Sequence, residues 1–225
     1  MTERLQKEKD LFRASNRVKL TFGVLVCTVL ATFSLVVAAF TVIPITHYYL
    51  PASAFFHPFK FWNMNHNISD FITHIDYLPQ VPAIACMTVI LGRKYSLVAI
   101  FLYLLAGLFF IPVFSLGGGI KYIFQYGFGY ILGFIPMVLI LWKCLGNNYK
   151  PKRVFLASLY SVFALHIFGI VYLVLLCAIK HEPFSYAQDL IYMMSYVKIF
   201  YDLFFTIICI YFANALRKIL WLSMD

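Results

Sequence analysis

An acidic residue within an apolar run is the first candidate for chemistry in this sequence. Asp202 interrupts a long hydrophobic segment near the end of the chain. An ionisable side chain at membrane depth is costly unless it is partnered or hydrated, and it therefore often marks a functional site. Two interpretations are open. Asp202 either accepts hydrogen bonds from a ligand or caps the outer end of a helix, where it would satisfy free backbone amides.

A glutamine enclosed by prolines is the second polar candidate. Gln80 lies between Pro79 and Pro82, and its side chain offers both a donor and an acceptor. The prolines stiffen this turn, and Pro82 cannot donate a backbone hydrogen bond. Gln80 therefore either contacts a ligand or satisfies carbonyl groups that the break in the helix leaves free.

Three consecutive glycines beside a lysine and a tyrosine form the third candidate. The run 117–119 can direct several backbone amides towards one anion, and Lys121 and Tyr122 follow it closely. Glycine also supplies the positive φ angles of a tight turn between two helices. We predict such a turn and, in addition, ligand contacts from Gly118, Gly119, Lys121 and Tyr122.

Residue patterns typical of catalysis are absent from the sequence. No glycine-rich loop ends in Gly-Lys-Ser/Thr, so the chain cannot hydrolyse ATP by that route. The five cysteines are far apart within hydrophobic segments and are expected to pack as small apolar residues. We therefore expect a protein that is not an enzyme and that has no metal site and no cofactor.

The composition is that of an integral membrane protein with one domain. Hydrophobic residues make up 63% of the 225 residues and charged residues only 12%, against about 25% charged residues in a soluble domain. The mean hydropathy is +0.85. Little of the chain is left for a soluble domain.

Helices crossing the membrane must position the candidate residues. A crossing needs about 20 apolar residues, and five stretches provide or approach this length: Leu20–Ile45, Ser96–Phe114, Tyr122–Trp142, Val154–Ile179 and Leu190–Leu216. A sixth stretch, Val81–Leu91, is short, and its proline-rich entry is typical of a broken helix at a binding site. The sequence predicts an all-α membrane fold of six transmembrane helices with a short or broken second helix.

Glycines and prolines concentrate between Tyr77 and Phe134, within otherwise membrane-depth sequence. Every backbone group freed at this depth must find a partner inside the protein, and irregular backbone is tolerated there where it lines a cavity. We therefore predict that this region forms the wall or the mouth of a ligand site.

The basic residues predict the orientation of the chain. A net charge of +9 would suggest nucleic acid in a soluble protein. Here fourteen of the eighteen Lys and Arg residues lie on one side of a six-helix arrangement, which is expected for cytoplasmic loops. We predict a protein of the plasma (inner) membrane with both termini in the cytoplasm, in contact with the lipid bilayer and without a nucleic-acid partner.

Three divisions of the chain follow from this topology. Residues 1–19 are predicted to form a basic cytoplasmic segment, 20–218 the membrane domain and 219–225 a cytoplasmic tail. The apolar run after residue 19 is longer than the apolar region of a signal peptide, which has 7–15 residues, so it predicts a first transmembrane helix. Within the membrane domain, the more polar residues 51–76 are predicted to form an external loop, with an interfacial helix anchored by Phe59, Phe61 and Trp62.

A series of short motifs follows Tyr77: Pro79-Gln80-Val81-Pro82, Leu91-Gly92, Leu102-Tyr103-Leu104, Gly107-Leu108, Pro112-Val113-Phe114, Gly117-Gly118-Gly119, Tyr122, Gly129-Tyr130 and Gly133-Phe134. In their order and spacing, these motifs resemble the BioY family, the biotin-binding S components of energy-coupling factor transporters. A weaker similarity covers 195–218. The resemblance implies a six-helix membrane fold, capture of biotin from the external side, and partnership with a T-component membrane protein and ABC-type ATPases.

Two departures from the family pattern affect the expected site. Tyr126-Gly127 stands where the family usually has Pro-Thr. In the sixth helix the family tends to have an aspartate followed by a lysine near biotin, and this chain keeps Asp202 but has Phe205 in place of the lysine. Lys198, four residues before Asp202 and on the same helical face, can supply the cation instead.

Biotin needs an acceptor and a donor for its ureido ring, apolar walls and a positive patch for its carboxylate. The full set of predicted substrate-binding residues is Gln80, Gly118, Gly119, Lys121, Tyr122, Tyr130, Lys198 and Asp202. Two alternatives stay open: an S component for another small vitamin or acid, and a small integral-membrane enzyme or assembly factor.

A pair of small residues in the first helix is the candidate contact for a partner helix. Ser34 and Ala38 form a small-x-x-x-small pattern, which permits close approach of helices. In the family that the chain resembles, S components meet their T component through small residues of this helix. The pattern also occurs by chance in many helix bundles.

Overall fold

The computed structural model describes residues 22–48, 58–63, 71–146 and 148–222. In this part of the chain five helical stretches are long and apolar enough to cross a membrane: Phe22–Phe40, Gln80–Phe110, Phe128–Leu145, Pro151–Ile179 and Phe184–Arg217. The prediction of a helical, multi-pass membrane protein is confirmed at this level.

The described helices, in chain order, are α1 (Phe22–Phe40), α2 (Pro58–Trp62), α3 (Gln80–Leu105), α4 (Phe128–Leu132), α5 (Phe134–Leu145), α6 (Pro151–Ile179), α7 (Phe184–Ile191) and α8 (Lys198–Leu222). Two π-helical turns, at Ala106–Phe110 and Tyr192–Tyr196, extend α3 and precede α8, and a 3-10 helix covers Ile120–Phe124.

A two-stranded antiparallel sheet, which hydropathy did not predict, lies between the C-terminal end of α1 and the N-terminal end of α3. It consists of β1 (Ile43–Tyr48) and β2 (Ile72–Tyr77), and Ile43 lies opposite Tyr77. The predicted helix through Ile45 is therefore wrong at its end. Pro44 cannot supply a helical hydrogen bond, and the β-branched residues beside it favour a strand.

The predicted external loop 51–76 also contains regular structure. Its last residues belong to β2, and α2 is a short helix that buries Phe61 while Phe59 and Trp62 are exposed. Two exposed aromatic side chains, Phe59 and Trp62, beside the buried Phe61 suit the membrane interface, where aromatic side chains are enriched.

Helix α3 is interrupted at Gly92, which adopts φ 73° and ψ 176°. Glycine reaches this conformation readily because it has no Cβ. The hydroxyl of Ser96 donates to the carbonyl of Met87 over 3.1 Å, although nine residues of straight helix would span roughly 13 Å. The chain therefore folds back at Gly92, which is where the predicted short stretch Val81–Leu91 ends.

The core lies where α3 packs against α1, α5 and α8, and where α6 packs against α4, α5 and α8. Its largest fully buried apolar side chains include Leu35, Ile84, Ile100, Met137, Leu165 and Ile210. Large apolar side chains also cover the outward faces, among them Phe33, Phe101, Ile167 and Phe204. Such faces suit contact with lipid chains.

Candidate functional site

A cavity of about 420 Å³ lies among β2, the start of α3, α4, α6 and α8. This volume falls within the range of about 300–1,000 Å³ typical of sites for small molecules. Five of the eight predicted binding residues line it, although they are far apart in sequence: Gln80, Tyr122, Tyr130, Lys198 and Asp202.

Asp202 is buried in the cavity wall with only 4% of its surface exposed. Its Oδ1 accepts a hydrogen bond from the Tyr77 hydroxyl at 2.9 Å, and its Oδ2 lies 3.1 Å from His166 Nε2. Asp202 is the fifth residue of α8, and its oxygens bond side chains from β2 and α6. The interpretation of Asp202 as an N-cap is therefore wrong.

The hydrogen bonds continue from the histidine across the cavity wall. His166 Nδ1 lies 3.1 Å from Ser195 Oγ, and Ser195 Oγ lies 2.6 Å from the Tyr130 hydroxyl. Tyr77, Asp202, His166, Ser195 and Tyr130 thus form one connected chain, here called the polar relay. It links β2, α8, α6, the π-helical turn before α8, and α4.

Helix geometry explains why these side chains meet. Ser195, Lys198 and Asp202 are three and four residues apart, so they share one helical face. On α6, Gly169 makes room for the Tyr130 ring, because a Cβ at this glycine would lie 2.5 Å from the ring. The Tyr130 ring then packs edge-on against His166, with centroids 5.9 Å apart.

Tyr77 is held at the cavity by both its ring and its hydroxyl. The ring stacks on Phe205 at a centroid distance of 5.3 Å, so the residue at the family's lysine position packs against a cavity-lining side chain. Burial raises the pKa of Tyr77 well above its ordinary value, and the Asp202 carboxylate raises it further. Tyr77 therefore stays protonated and acts as a donor to Asp202.

Gln80 connects the cavity to the loop that follows α3. Its Nε2 donates to the Tyr103 hydroxyl at 3.1 Å, and Tyr103 donates in turn to the carbonyl of Val113 at 3.4 Å. Gln80 also lines the cavity. Both interpretations of its role, in supporting the break and in facing a ligand, are compatible with this position.

The glycine run forms a turn outside the cavity lining. The amide of Gly117 donates to Phe114 and that of Gly119 to Gly107, over 3.0 and 2.8 Å. Gly118 allows close packing, because a Cβ there would lie 2.6 Å from Pro112 Cα. The predicted turn is present, and two of the three amides are already used by carbonyl groups.

The three predicted contacts from this turn remain untested. Gly118, Gly119 and Lys121 are exposed and are not among the residues that line the cavity. Of the charged residues that do line it, Lys198 is half-buried and Asp76, on β2, is exposed. In the described residues, no cluster of three or more His, Cys, Asp or Glu side chains is arranged to hold a metal ion.

A second concavity, here called the helix groove, lies between α1, the first half of α3, and α8. Its volume is about 540 Å³, and both Ser34 and Ala38 line it. The Ser34 hydroxyl donates to its own helix at the Ala31 carbonyl. Cysteines from all three helices also face the groove: Cys27, Cys86 and Cys209. Contact with a partner helix here stays a prediction.

Sequence reasoning missed three members of the relay. Tyr77, His166 and Ser195 were not singled out as site residues, although a histidine inside a membrane helix commonly bonds across helices, as His166 does. The available signals were local. Tyr77 directly precedes the proline-rich entry of α3, and Ser195 stands three residues before Lys198 in an otherwise apolar segment.

The fold and the site are those of a multi-pass membrane protein whose helices enclose a small cavity with a few polar side chains in a mainly apolar wall. The chain is similar to a solved structure titled as the S-component for biotin from an ECF-type ABC transporter. The TM-score is 0.61 at 18% sequence identity, and the match covers 89% of this chain and 95% of that one. At this identity, the likeness establishes the fold.

The family model named BioY matches residues 71–221, well over half of the sequence. The chain therefore belongs to the BioY family, as the motifs between Tyr77 and Phe134 predicted. The match includes every member of the polar relay and all eight predicted binding residues. Among curated proteins, none matches this chain.

Proposed function

We propose that this protein is the substrate-binding subunit of a biotin transporter, capturing biotin from the external side of the membrane. Family membership and the S-component fold support this role. One observation carries the proposal: the part of the chain that matches the family encloses a cavity where a buried carboxylate, a lysine and two tyrosines converge.

The chemistry of this cavity suits biotin. Asp202 provides an acceptor for the ureido N–H groups, and Lys198 provides a cation for the carboxylate. Tyr122 and Tyr130 add aromatic surface beside the apolar ring system, and Gln80 offers a further donor and acceptor. A ligand that satisfied these groups would offset their loss of hydration.

Calorimetric titration of the purified protein with biotin tests the proposal. We expect saturable binding with a dissociation constant on the order of nanomolar, which corresponds to about −12 kcal/mol. Thermal-shift measurements over other vitamins and lipoate serve as the comparison. A large stabilisation by one of those compounds, with none by biotin, would contradict the biotin assignment.

A second candidate is an S component for another small vitamin or acid, and one observation favours it. Phe205 occupies the position of the family's lysine and stacks on Tyr77, so no cation is available from that position. The same thermal-shift series separates the two candidates, because it reports which ligand the cavity prefers.

We further propose that transport depends on partners: a T-component membrane protein and ABC-type ATPase subunits. The family assignment supports this view. A tight site releases its ligand slowly, so emptying it inward requires a conformational change driven by energy from outside this chain. The subunit itself would act without catalysis and without a cofactor, with biotin as cargo.

We also propose six crossings in the plasma membrane, with both termini in the cytoplasm. The reversal at Gly92 supports this topology, because it divides Gln80–Phe110 into two antiparallel halves. The distribution of Lys and Arg residues supports the orientation. Reporter fusions that are active only in the cytoplasm should be active at both termini. Activity at one terminus alone would exclude an even number of crossings.

A further inference from the structure

Four members of the polar relay, Tyr77, Asp202, His166 and Tyr130, line the cavity, and Ser195 connects the last two by hydrogen bonds. His166 and Ser195, in the middle of the relay, are 3% and 4% exposed. Each therefore depends on its neighbours in the relay for hydrogen bonds. The direction in which every hydroxyl points is then determined by which histidine nitrogens carry protons.

With a neutral histidine, one arrangement satisfies every group. The Asp202 carboxylate only accepts, so His166 Nε2 carries the proton and donates to it across 3.1 Å. Nδ1 is then an acceptor for the Ser195 hydroxyl. The Ser195 oxygen accepts in turn from Tyr130, 2.6 Å away. The Tyr130 hydroxyl thus donates its hydrogen bond to Ser195, and only its oxygen lone pairs remain to accept a hydrogen bond from a ligand in the cavity.

Protonation of the histidine reverses the direction of two hydrogen bonds in the relay, those between His166 and Ser195 and between Ser195 and Tyr130. A proton taken from water onto His166 Nδ1 makes this nitrogen a donor to Ser195 Oγ. The Ser195 hydroxyl must then turn and donate to the Tyr130 oxygen. The Tyr130 proton is released from the relay and can point into the cavity, so Tyr130 offers the ligand a donor.

We propose that His166 and Ser195 are positioning residues that set whether Tyr130 presents a donor or an acceptor to the ligand. This inference rests on the proposed function, because it concerns the cavity assigned to biotin. It predicts that ligand affinity responds to the protonation state of His166 through the hydroxyl of Tyr130, in addition to any direct contact between His166 and the ligand.

The charged groups around His166 determine whether biotin affinity rises or falls with pH. The titratable and charged groups that share this site with His166 are Asp202 and Lys198 from α8, Tyr130 from α4, Tyr122 from the 3-10 helix, and Asp76 and Tyr77 from β2. Biotin carries an anionic carboxylate and a ureido carbonyl, both of which accept hydrogen bonds. A protonated His166 adds a positive charge and frees a donor, so biotin binds more tightly as the pH falls.

Biotin titrations at about pH 8 and about pH 5.5 test the inference, because histidine is the side chain most often used as a switch in this range. For the wild-type protein we expect the dissociation constant to fall at least about fivefold at the lower pH, the lower end of typical couplings between sites. His166→Gln keeps an amide donor near Asp202 but cannot titrate, and its affinity should be independent of pH in this range.

Two further variants separate the relay from the charge alone. Ser195→Ala and Tyr130→Phe both keep His166 in the cavity wall but remove its hydrogen-bonded connection to the Tyr130 hydroxyl, so each should show a weaker pH response than the wild type. They also keep the test decisive should His166→Gln fold poorly. His181→Gln, which changes an exposed histidine just after α6, is the matched control and should keep the full response.

The outcomes distinguish this inference from the proposed function. Biotin binding with no pH response in the wild type, or with an unchanged response in His166→Gln or Ser195→Ala, overturns the inference and leaves the biotin assignment intact. A wild-type protein that binds no biotin at either pH overturns both.

Discussion

The cavity and the helix groove have similar volumes, about 420 and 540 Å³, but they differ in the polar side chains that line them. The cavity wall contains two buried polar side chains, Asp202 and His166, each with a hydrogen-bond partner. The groove is lined mainly by apolar and cysteine side chains. Buried polar groups are costly inside a membrane protein, so their convergence in one concavity, rather than its volume, indicates the ligand site.

The two concavities also differ in how the chain builds them. Two neighbouring helical stretches and one distant helix form the groove, whereas the cavity is lined by residues of β2, the 3-10 helix and six helices, α1, α3, α4, α5, α6 and α8. A groove along apolar helices suits another helix, because small residues allow backbones to approach closely. We therefore expect substitutions in the cavity to change ligand affinity, and substitutions in the groove to change partnership.

The largest effect should follow from Asp202→Asn. The amide offers one acceptor where the carboxylate offered two charged oxygens, and both Tyr77 and His166 donate there. We expect biotin affinity to fall on the order of 100-fold, about 3 kcal/mol, by calorimetry. Asp189→Asn, which alters an exposed acid on α7, is the matched control. Equal losses in the two variants would remove the distinction between cavity and surface.

Lys198→Met should weaken biotin binding about tenfold, because a charge-assisted hydrogen bond contributes roughly 1.5–3 kcal/mol before solvent screening. Methionine keeps much of the length and the apolar stem of the lysine. Lys121→Met is the informative comparison, since Lys121 lies outside the cavity lining. A larger loss for Lys121→Met would place the ligand carboxylate at the glycine turn instead.

Tyr77→Phe should weaken binding about fivefold, since it removes one hydrogen bond worth about 1 kcal/mol. The ring remains available to stack on Phe205, so the fold should be retained, which thermal unfolding would check. An affinity equal to that of the wild type would show that Asp202 does not need Tyr77 to hold it in place.

The smallest effect on binding is expected in the groove. Ser34→Leu fills an exposed position on α1 that lines the groove, and it should leave the biotin affinity of the isolated subunit unchanged. Uptake by vesicles that contain the whole transporter should nevertheless fall several-fold, because leucine prevents close helix approach. Unchanged uptake would contradict the proposed partner contact.

Much of the helical framework could be predicted from hydropathy alone. The stretch Val154–Ile179 lies within the observed α6, and the predicted interruption after Leu91 lies at Gly92. Both follow from strong local signals: a long apolar run in one case, and a short segment that ends at a glycine in the other. The pairing of β1 with β2 was missed because the two strands are far apart in sequence. In addition, β1 directly follows the apolar run of α1, and β2 ends a segment of mixed polar and apolar residues.

The site could be predicted only in part, because its hydrogen bonds join distant segments. Asp202 and Gln80 were found, since a polar residue in an apolar run is conspicuous. Tyr77 and Ser195 were missed, because sixteen tyrosines and many serines occur in this chain and only the packing selects these two. His166 lies 36 residues before its partner Asp202, a distance at which no sequence spacing predicts contact.

A structure of the protein with bound biotin shows whether the cavity is the ligand site. We expect ligand density within the cavity, with the ureido ring near Asp202 and the carboxylate towards Lys198. Biotin density in the helix groove or at the glycine turn, with the cavity left empty, would contradict this expectation.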